Sequence, residues 1–302
     1  MSVAQATVTA VVVNYNTGED LYALVDSLAA DPEVAKIVVV DNCSTDSSMD
    51  FLAVSPGPRL HLIRNERNRG FSAACNQGAA LAGTPYILFI NPDCEVPSGS
   101  LGRMTALLEA RPEVAMLGPL ILNGDGSEQR GCRRYLPNPR RALMRVLGLG
   151  HPDAHGRVSG FDLQGTPLPT LPVPVEAVSG ACMLLRRACF MQLGGWDEGY
   201  FLHCEDLDIC MRVQSAGYKI LFVPDVAVIH HQGQSSRRRP VFVLWHKHRG
   251  MWRFYRKFYS TDAPLFLTCL VWVGIWLRFW LSVPGAWLRK FYKRYGSVQD
   301  IH

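Results

Sequence analysis

Three glycine-rich signatures are missing from this chain. There is no GxxxxGK(S/T) loop and no GxGxxG turn after the first apolar stretch, so a bound nucleotide would rest on carboxylates and a metal. No GxSxG elbow is present, which removes the serine-nucleophile hydrolase arrangement. Nine cysteines are scattered without a CxxC pair. That spacing fits neither a zinc site nor a disulfide framework, and a reducing cytosol is the expected environment. Met1 to Thr9 has no basic region leading into an apolar run, so no secretory signal is expected. Internal repeats and low-complexity tracts are absent. The net charge of +5 over 302 residues is modest, and no nucleic-acid partner is expected. Basic residues gather at Arg130 to Arg145, Arg237 to Lys257 and Arg289 to Arg294. Such clusters face phosphates or an anionic membrane, or are simply solvated.

What is present alternates between strand and helix patterns. Val8 to Val13 is a continuous β-branched run that predicts a buried parallel strand, with further strands at Ile37–Val40, Leu60–Ile63 and Tyr86–Ile90. Helices are predicted over Gly18–Ala30, with Leu21, Leu24, Val25 and Leu28 on one face, and over Ser44–Val54, capped by Ser44 or Thr45. A small-residue helix over Gly70–Leu81 follows. This order predicts an open α/β sheet with right-handed crossovers and ligands beyond the strand carboxyl ends, where Asn14, Asp41, Asn65 and Asp93 fall. Residues 123–174 read as a long excursion. A strand is expected over Val178–Leu185 and a short helix over Arg187–Leu193. The next helix, Glu205–Ala216, would share a face of Leu207, Cys210, Met211 and Gln214, with an Asp208–Arg212 pair and Gly217 as its stop. Strands follow at Lys219–Val223 and Val226–Ile229.

Residues 1–240 form the expected main domain and 241–302 an aromatic, basic helical extension. Within the extension, 263–288 is apolar but interrupted at Arg278, short of the roughly 20 residues a span needs. Trp252, Arg253, Arg256 and Lys257 precede it, and Trp287, Arg289, Lys290 and Lys293 follow. That pattern suits a helix at a membrane interface; an amphipathic hairpin packed on the domain is the alternative.

Two acidic groups can carry chemistry. Asp93, in Asn91-Pro92-Asp93 after a strand, can bind a divalent cation through hard oxygen, although the tripeptide is also a good turn. Glu205 and Asp206 open a helix, where the dipole alone favours acids; a general base facing an acceptor hydroxyl is the functional alternative. Asp41 can accept from a pyrimidine ring N–H or a ribose hydroxyl, while Ser44 and Asp46 are explained by capping. His230 can ligate a metal through neutral imidazole, with His231 beside it as a rival.

Taken in order, these pieces resemble the family-2 inverting glycosyltransferases of GT-A fold. The resemblance runs through Val11–Asn16, Asp41–Asp46, Asn65–Phe71, Asn91–Asp93, Val178–Cys182, Gly194–Glu198, Glu205–Asp208 and His230–Ser235. It looks most like bacterial rhamnosyltransferase-like members that build cell-surface polysaccharides. It implies a Rossmann-like open mixed sheet flanked by helices. It also implies that Asp41 contacts the nucleobase, with Asn14, Asp46, Asn65, Asn68 and Asn91 on the donor side. Asp93 and His230 would hold Mg²⁺ or Mn²⁺ on the diphosphate. Asp206 would be the general base, with Glu205 orienting it or the acceptor, and Gly180, Trp196 and Asp197 would shape the sugar and acceptor pocket. Asn91 replaces the first acid of the usual metal motif, leaving fewer charges on the cation. The implied donor is dTDP-rhamnose, with a UDP-sugar second. The implied acceptor is a saccharide or lipid-linked saccharide, met by a cytoplasmic enzyme peripheral at the inner face of the cell membrane. A nucleotidyltransferase and a non-catalytic, membrane-bound sugar-nucleotide-binding scaffold are the competing readings. The first would want a glycine- and lysine-rich loop that Asn14 to Asp20 does not offer.

Overall fold

A computed structural model describes residues 6–50, 57–146, 161–231 and 239–296. The end of the expected Ser44–Val54 helix, the Gln232–Ser235 part of the last motif, and the side chains of Arg289, Lys290 and Lys293 lie outside the described residues.

The first half alternates as its sequence predicts. Strand β1 (Val8–Asn14) is followed by α1 (Asp20–Ala30), β2 (Val34–Asp41), β3 (Leu60–Arg64), α2 (Phe71–Ala79) and β4 (Tyr86–Ile90). These four strands are parallel, in the order β3-β2-β1-β4. Every residue of β1 is buried: Val8, Ala10 and Val12 face one core, Val11 and Val13 the other. A strand covered on both faces needs an unbroken apolar run. Leu21, Leu24, Val25 and Leu28 of α1 enter the first core, each contributing about 1.5–3 kcal/mol by burial. Helix α2 lies against the other face because its residues are small. A Cβ at Gly78 would stand 2.5 Å from Val11 Cγ1.

The second half makes the sheet mixed. It contains β5 (Cys94–Glu95), α3 (Ser100–Ala110), β6 (Val114–Leu122), β7 (Arg133–Arg134), α4 (Pro139–Val146), β8 (Val173–Pro174) and β9 (Ala177–Val178). Then come β10 (Cys182–Arg186), α5 (Arg187–Gln192), α6 (Glu205–Ser215), β11 (Lys219–His230), α7 (Pro240–Phe258) and α8 (Leu265–Gly296). Antiparallel β10 joins β4 to β6, and the order continues β6-β11-β5, with β8 also on β11. Strands β7 and β9 form a separate small antiparallel sheet.

Four local expectations are corrected. The 3₁₀ turn Ser47–Met49 is capped by Asp46, whose carboxylate accepts from Ser48 N at 3.2 Å; Ser44 and Thr45 instead bond to the β1 loop. The Val178–Leu185 run splits at Ser179-Gly180, because β9 pairs with β7 while β10 enters the main sheet. The buried face of α6 is Asp208, Ile209, Cys210 and Val213 rather than Leu207, Cys210, Met211 and Gln214. Asp208 can be buried because Arg212 Nε stands at 2.6 Å and Lys257 Nζ at 2.7 Å. The last two strands are one, β11, with a register shift between Val223 and Ala227.

The extension is a helical hairpin. Helix α7 is tied to the domain by Phe254, by Arg253 and Lys257 on Asp197, and by a close approach at Gly250, where a Cβ would lie 2.7 Å from the His203 carbonyl. Helix α8 runs antiparallel to α7: Trp245 meets Trp276 at 4.9 Å, and Tyr255 Oη lies 3.1 Å from Thr268 Oγ1. Arg278 does not break the apolar segment, since arginine is a good helix former. The 23 residues Leu265–Trp287 are long and apolar enough to cross a membrane by length and composition. Leu270, Leu277, Trp280 and Leu281 are all more than half exposed.

Candidate active site

The carboxyl ends of β1 and β2 lie side by side, with Asn14 in register with Asp41. Asn14 is fully buried, and its Nδ2 reaches Asp41 Oδ1 (3.0 Å), Ser44 Oγ (3.0 Å) and Ser48 Oγ (2.8 Å). This amide therefore orients Asp41 rather than facing a ligand. The Asp41 carboxylate also accepts from Ser44 N at 3.2 Å. Asp46 stitches two loops together, accepting from Gly18 N at 3.0 Å and from Ser48. Burial alone would raise its pKa, but those hydrogen bonds win and hold it below the ordinary carboxylate value. Asn65 exchanges amide bonds with Gln77 (2.8 and 2.9 Å) and donates to Asn42 Oδ1 at 3.0 Å. Asn68 accepts from Gly70 N at 2.9 Å and lines a small basic recess with Arg67 and Arg69.

Past β4, the chain turns so that Asp93 meets the end of β11. Asp93 Oδ1 lies 3.1 Å from His230 Nε2, and Asn91 Nδ2 lies 3.2 Å from the same nitrogen. Both Asp93 and His230 are about 8% exposed. The opposite ring nitrogen, Nδ1, is 2.7 Å from Gln129 Oε1. Gln129 Nε2 is spent on Asn123 Oδ1 (3.0 Å) and the His230 carbonyl (3.1 Å), so its oxygen must face the ring and Nδ1 must donate. The Nε2 lone pair then converges with Asp93 Oδ1, a donor pair fit for a divalent cation. Cys94 completes a group of three possible ligands. Burial pushes its thiol well above its usual value, and a protonated sulfur is a poor ligand for a hard cation. His231 points elsewhere, pairing with Glu95 at 2.5 Å.

Glu205 and Asp206 begin α6 behind an unusual entry: His203 and Cys204 both adopt left-handed conformations, φ 68° and 70°. Asp206 is ion-paired with Arg134, which also donates to the Val178 carbonyl at 2.8 Å. Gly180 leaves room for it; a Cβ there would lie 3.2 Å from Asp206 Cβ. The two acids are driven apart. Burial, then the Asp206 charge, pushes Glu205 up to about 8. Burial opposes ionisation of Asp206 too, but Arg134 outweighs it and holds the pKa below the usual value. At neutral pH one carboxyl is a proton donor and its neighbour an acceptor, the separation that acid–base work requires. Among the described residues, Glu205 Oε2 has no hydrogen-bond partner. His203 is held neutral, lowered to about 4 by burial and then by the charge of Lys247.

Trp196 is 2% exposed and packs edge-on against Phe89 and Phe71, so its side chain is core rather than pocket wall. Asp197 faces α7, bound by Arg253 (2.7 Å) and Lys257 (2.8 Å) beside a separate cavity of about 530 Å³. Burial would raise its pKa, but those two cations lower it to about 2. Gln129, Asn42, Arg134 and His203 carry much of the geometry and were not singled out by sequence. Arg134 had one signal, its place in a basic stretch; it faces a carboxylate instead of a phosphate or solvent.

Known proteins agree with this architecture. The chain is 31% identical over 256 residues to the N-acetylglucosaminyl-diphospho-decaprenol L-rhamnosyltransferase of Mycobacterium tuberculosis, covering 81% of this chain and 82% of that protein. It is 24% identical over 243 residues to the rhamnosyltransferase WbbL of Escherichia coli, covering 75% and 84%. Among solved structures, GalNAc-T7 with UDP, GalNAc and Mn²⁺ superposes with a TM-score of 0.60 at 19% identity. That match covers 97% of this chain and only 55% of the larger one. The mannosyltransferase PcManGT of Pyrobaculum calidifontis, with GDP-Man and Mn²⁺, gives 0.55 at 16%, covering 98% and 76%. At such identities the structures speak for a GT-A-like fold alone. Residues 158–295 match the pattern of glycosyl transferase family group 2, and residues 9–164 that of glycosyl transferase family 2. The chain is a member of glycosyl transferase family 2.

Proposed function

We propose that the enzyme transfers rhamnose, with inversion, from a nucleotide diphosphate to a hydroxyl of a lipid-linked saccharide during cell-surface polysaccharide synthesis. The observation that carries the reading is the Asp206–Arg134 ion pair at the head of α6, with Glu205 buried beside it and the Asp93–His230 pair at the strand ends of the same fold. The similarity to two rhamnosyltransferases, one named for a diphospho-decaprenol acceptor, supports the donor and acceptor classes.

Asp206 takes the proton of the acceptor hydroxyl. The oxygen then attacks the anomeric carbon from the face opposite the diphosphate, and the bond to that diphosphate breaks. Protonated Glu205 donates to an acceptor oxygen and fixes its approach. Asp41, aligned by Asn14, accepts from the nucleobase, and Asn42 and Asn65 hold that loop. Asp93 and His230 would hold Mg²⁺ or Mn²⁺; the residues fit, because Gln129 leaves the Nε2 lone pair facing the carboxylate. A cation there would supply positive charge against the charge that grows on the departing diphosphate.

The apolar extension supports a site held at a membrane surface. Helix α7 carries Arg249, Arg253, Arg256 and Lys257 and is bolted to the domain, while α8 packs along it. A crossing α8 would draw those cations toward hydrocarbon at about 2.5–3.5 kcal/mol each. That cost supports a helix α8 lying in the interface with its apolar face down.

Calorimetry of dTDP-rhamnose, UDP-glucose, UDP-galactose and UDP-N-acetylglucosamine, with and without Mn²⁺, tests the donor. Metal-dependent binding of dTDP-rhamnose is expected. Binding of a UDP-sugar in its place would replace the rhamnose assignment, and binding of none would remove the nucleotide site.

A further inference from the structure

Arg278 is the one charged residue in Leu265–Trp287, and it is exposed. Ring contacts bracket its place along the hairpin: Trp245 against Trp276 at 4.9 Å and His248 against Phe279 at 5.5 Å. Lys247 lies within the matching stretch of α7. Its backbone carbonyl accepts from Cys204 Sγ at 3.8 Å, one residue before Glu205 and Asp206. One turn on, Gly250 presses against the His203 carbonyl. The Lys247 side chain is exposed on a stretch of α7 that touches the head of α6 and α8 alike. Partial desolvation, then the charge of Arg278, holds its ammonium below the ordinary value; the charge of Lys247 in turn reaches His203. Among the described residues no carboxylate lies within ion-pair distance of Lys247. Like charges gathered this way favour an anionic ligand.

We propose that Lys247 and Arg278 form a subsite for the phosphate or diphosphate that links the acceptor saccharide to its lipid, with the outward apolar face of α8 taking the hydrocarbon. The proposal rests on the transferase reading above. Its strength is the order of the parts. From Asp206 outward the chain presents a carboxylate for a hydroxyl, then two cations, then Leu277, Trp280 and Leu281. A saccharide, a phosphate linker and a lipid tail follow the same order.

The test uses the full chain and dodecyl diphosphate as probe, followed by tryptophan fluorescence below the micelle-forming concentration. Dodecyl maltoside supplies the same tail without charge, and inorganic pyrophosphate the charge without a tail. Dodecyl diphosphate is expected to bind best, and Lys247→Ala and Arg278→Gln to weaken it by about 10- to 100-fold, the worth of one charged hydrogen bond. Lys247→Arg should restore most of the loss, and dodecyl maltoside binding should not change. Equal binding by the variants overturns the subsite, as does an equal loss with dodecyl maltoside. Pyrophosphate binding as tightly as dodecyl diphosphate overturns the lipid assignment. Donor calorimetry on the same preparations separates the two readings: a donor that does not bind removes the transferase, whereas a diphosphate lipid that ignores both variants removes only the subsite.

Discussion

Gln129 and His230 hold each other by two hydrogen bonds, Nδ1 to Oε1 at 2.7 Å and Nε2 of the glutamine to the histidine carbonyl at 3.1 Å. The pair fixes which imidazole nitrogen faces Asp93. Gln129→Met, close in volume but without the acceptor, should lower Mn²⁺ affinity by about 10- to 100-fold. Gln129→Glu, which keeps an acceptor, should retain it. Electron paramagnetic resonance of free Mn²⁺ in a titration reads this without turnover. Unchanged affinity in the methionine variant would show that the ring needs no such support.

Asp206→Asn removes the proton acceptor and should cut turnover by on the order of 10²–10⁴. Donor affinity should stay near wild type, because the base acts on the acceptor hydroxyl and not on the donor. Steady-state rates beside donor calorimetry check both halves. Near-normal turnover would move the base elsewhere.

Glu205 predicts a pH signature in stability. Its folded pKa, about 8, lies above the ordinary 4.5. Below 4.5 both states are protonated and the site contributes no pH dependence. Between 4.5 and about 8 the unfolded chain has released a proton that the folded chain keeps, so stability falls as pH rises. Above about 8 the loss is complete. Glu205→Gln, which never ionises, should gain on wild type from pH 5 to pH 8.5, by roughly 2–4 °C in Tm per kcal/mol. Calorimetric melts decide it; a gap that does not change with pH would contradict the buried-acid account.

Asp208 is fully buried between Arg212 and Lys257. Asp208→Ala leaves Arg212 without its carboxylate, while Lys257 keeps Asp197, and should cost about 3–5 kcal/mol, measured by urea denaturation. A loss under about 1 kcal/mol would mean that the Leu193 and Gly195 carbonyls suffice for Arg212.

Leu277→Glu with Leu281→Glu alters only exposed positions of α8 and should abolish flotation with vesicles of anionic phospholipid while leaving the melting temperature unchanged. Continued flotation would move membrane attachment to another surface.

The parallel half of the fold is legible because its inner strands carry closed apolar runs and its first helix has one apolar stripe, as Val8–Asn14 and Asp20–Ala30 show. Legibility fails where polar residues do apolar work. Asp208 is buried because Lys257 reaches it from α7 as well as Arg212 from one turn on, so the pattern of α6 appears rotated. Asn65 looks like a ligand contact at a strand end, but its amide is spent on Gln77 and Asn42. Acidic residues can be picked out as chemistry, whereas their partners cannot. Gln129 lies 101 residues from His230, and Arg134 lies 72 from Asp206. No local spacing announces either contact.

Gly70 and Phe201 belong to opposite ends of the site, yet Phe71 N donates to the Phe201 carbonyl at 2.9 Å, and a Cβ on Gly70 would come within 2.8 Å of that oxygen. Asn42 donates to the Gly70 carbonyl from one side, and His203 and Cys204 follow Phe201 on the other. A bolt this tight makes the two halves a single mechanical part. The loop after β2 cannot swing without tugging the segment that leads into the acids, so a ligand bound at one end would be felt as tension at the other.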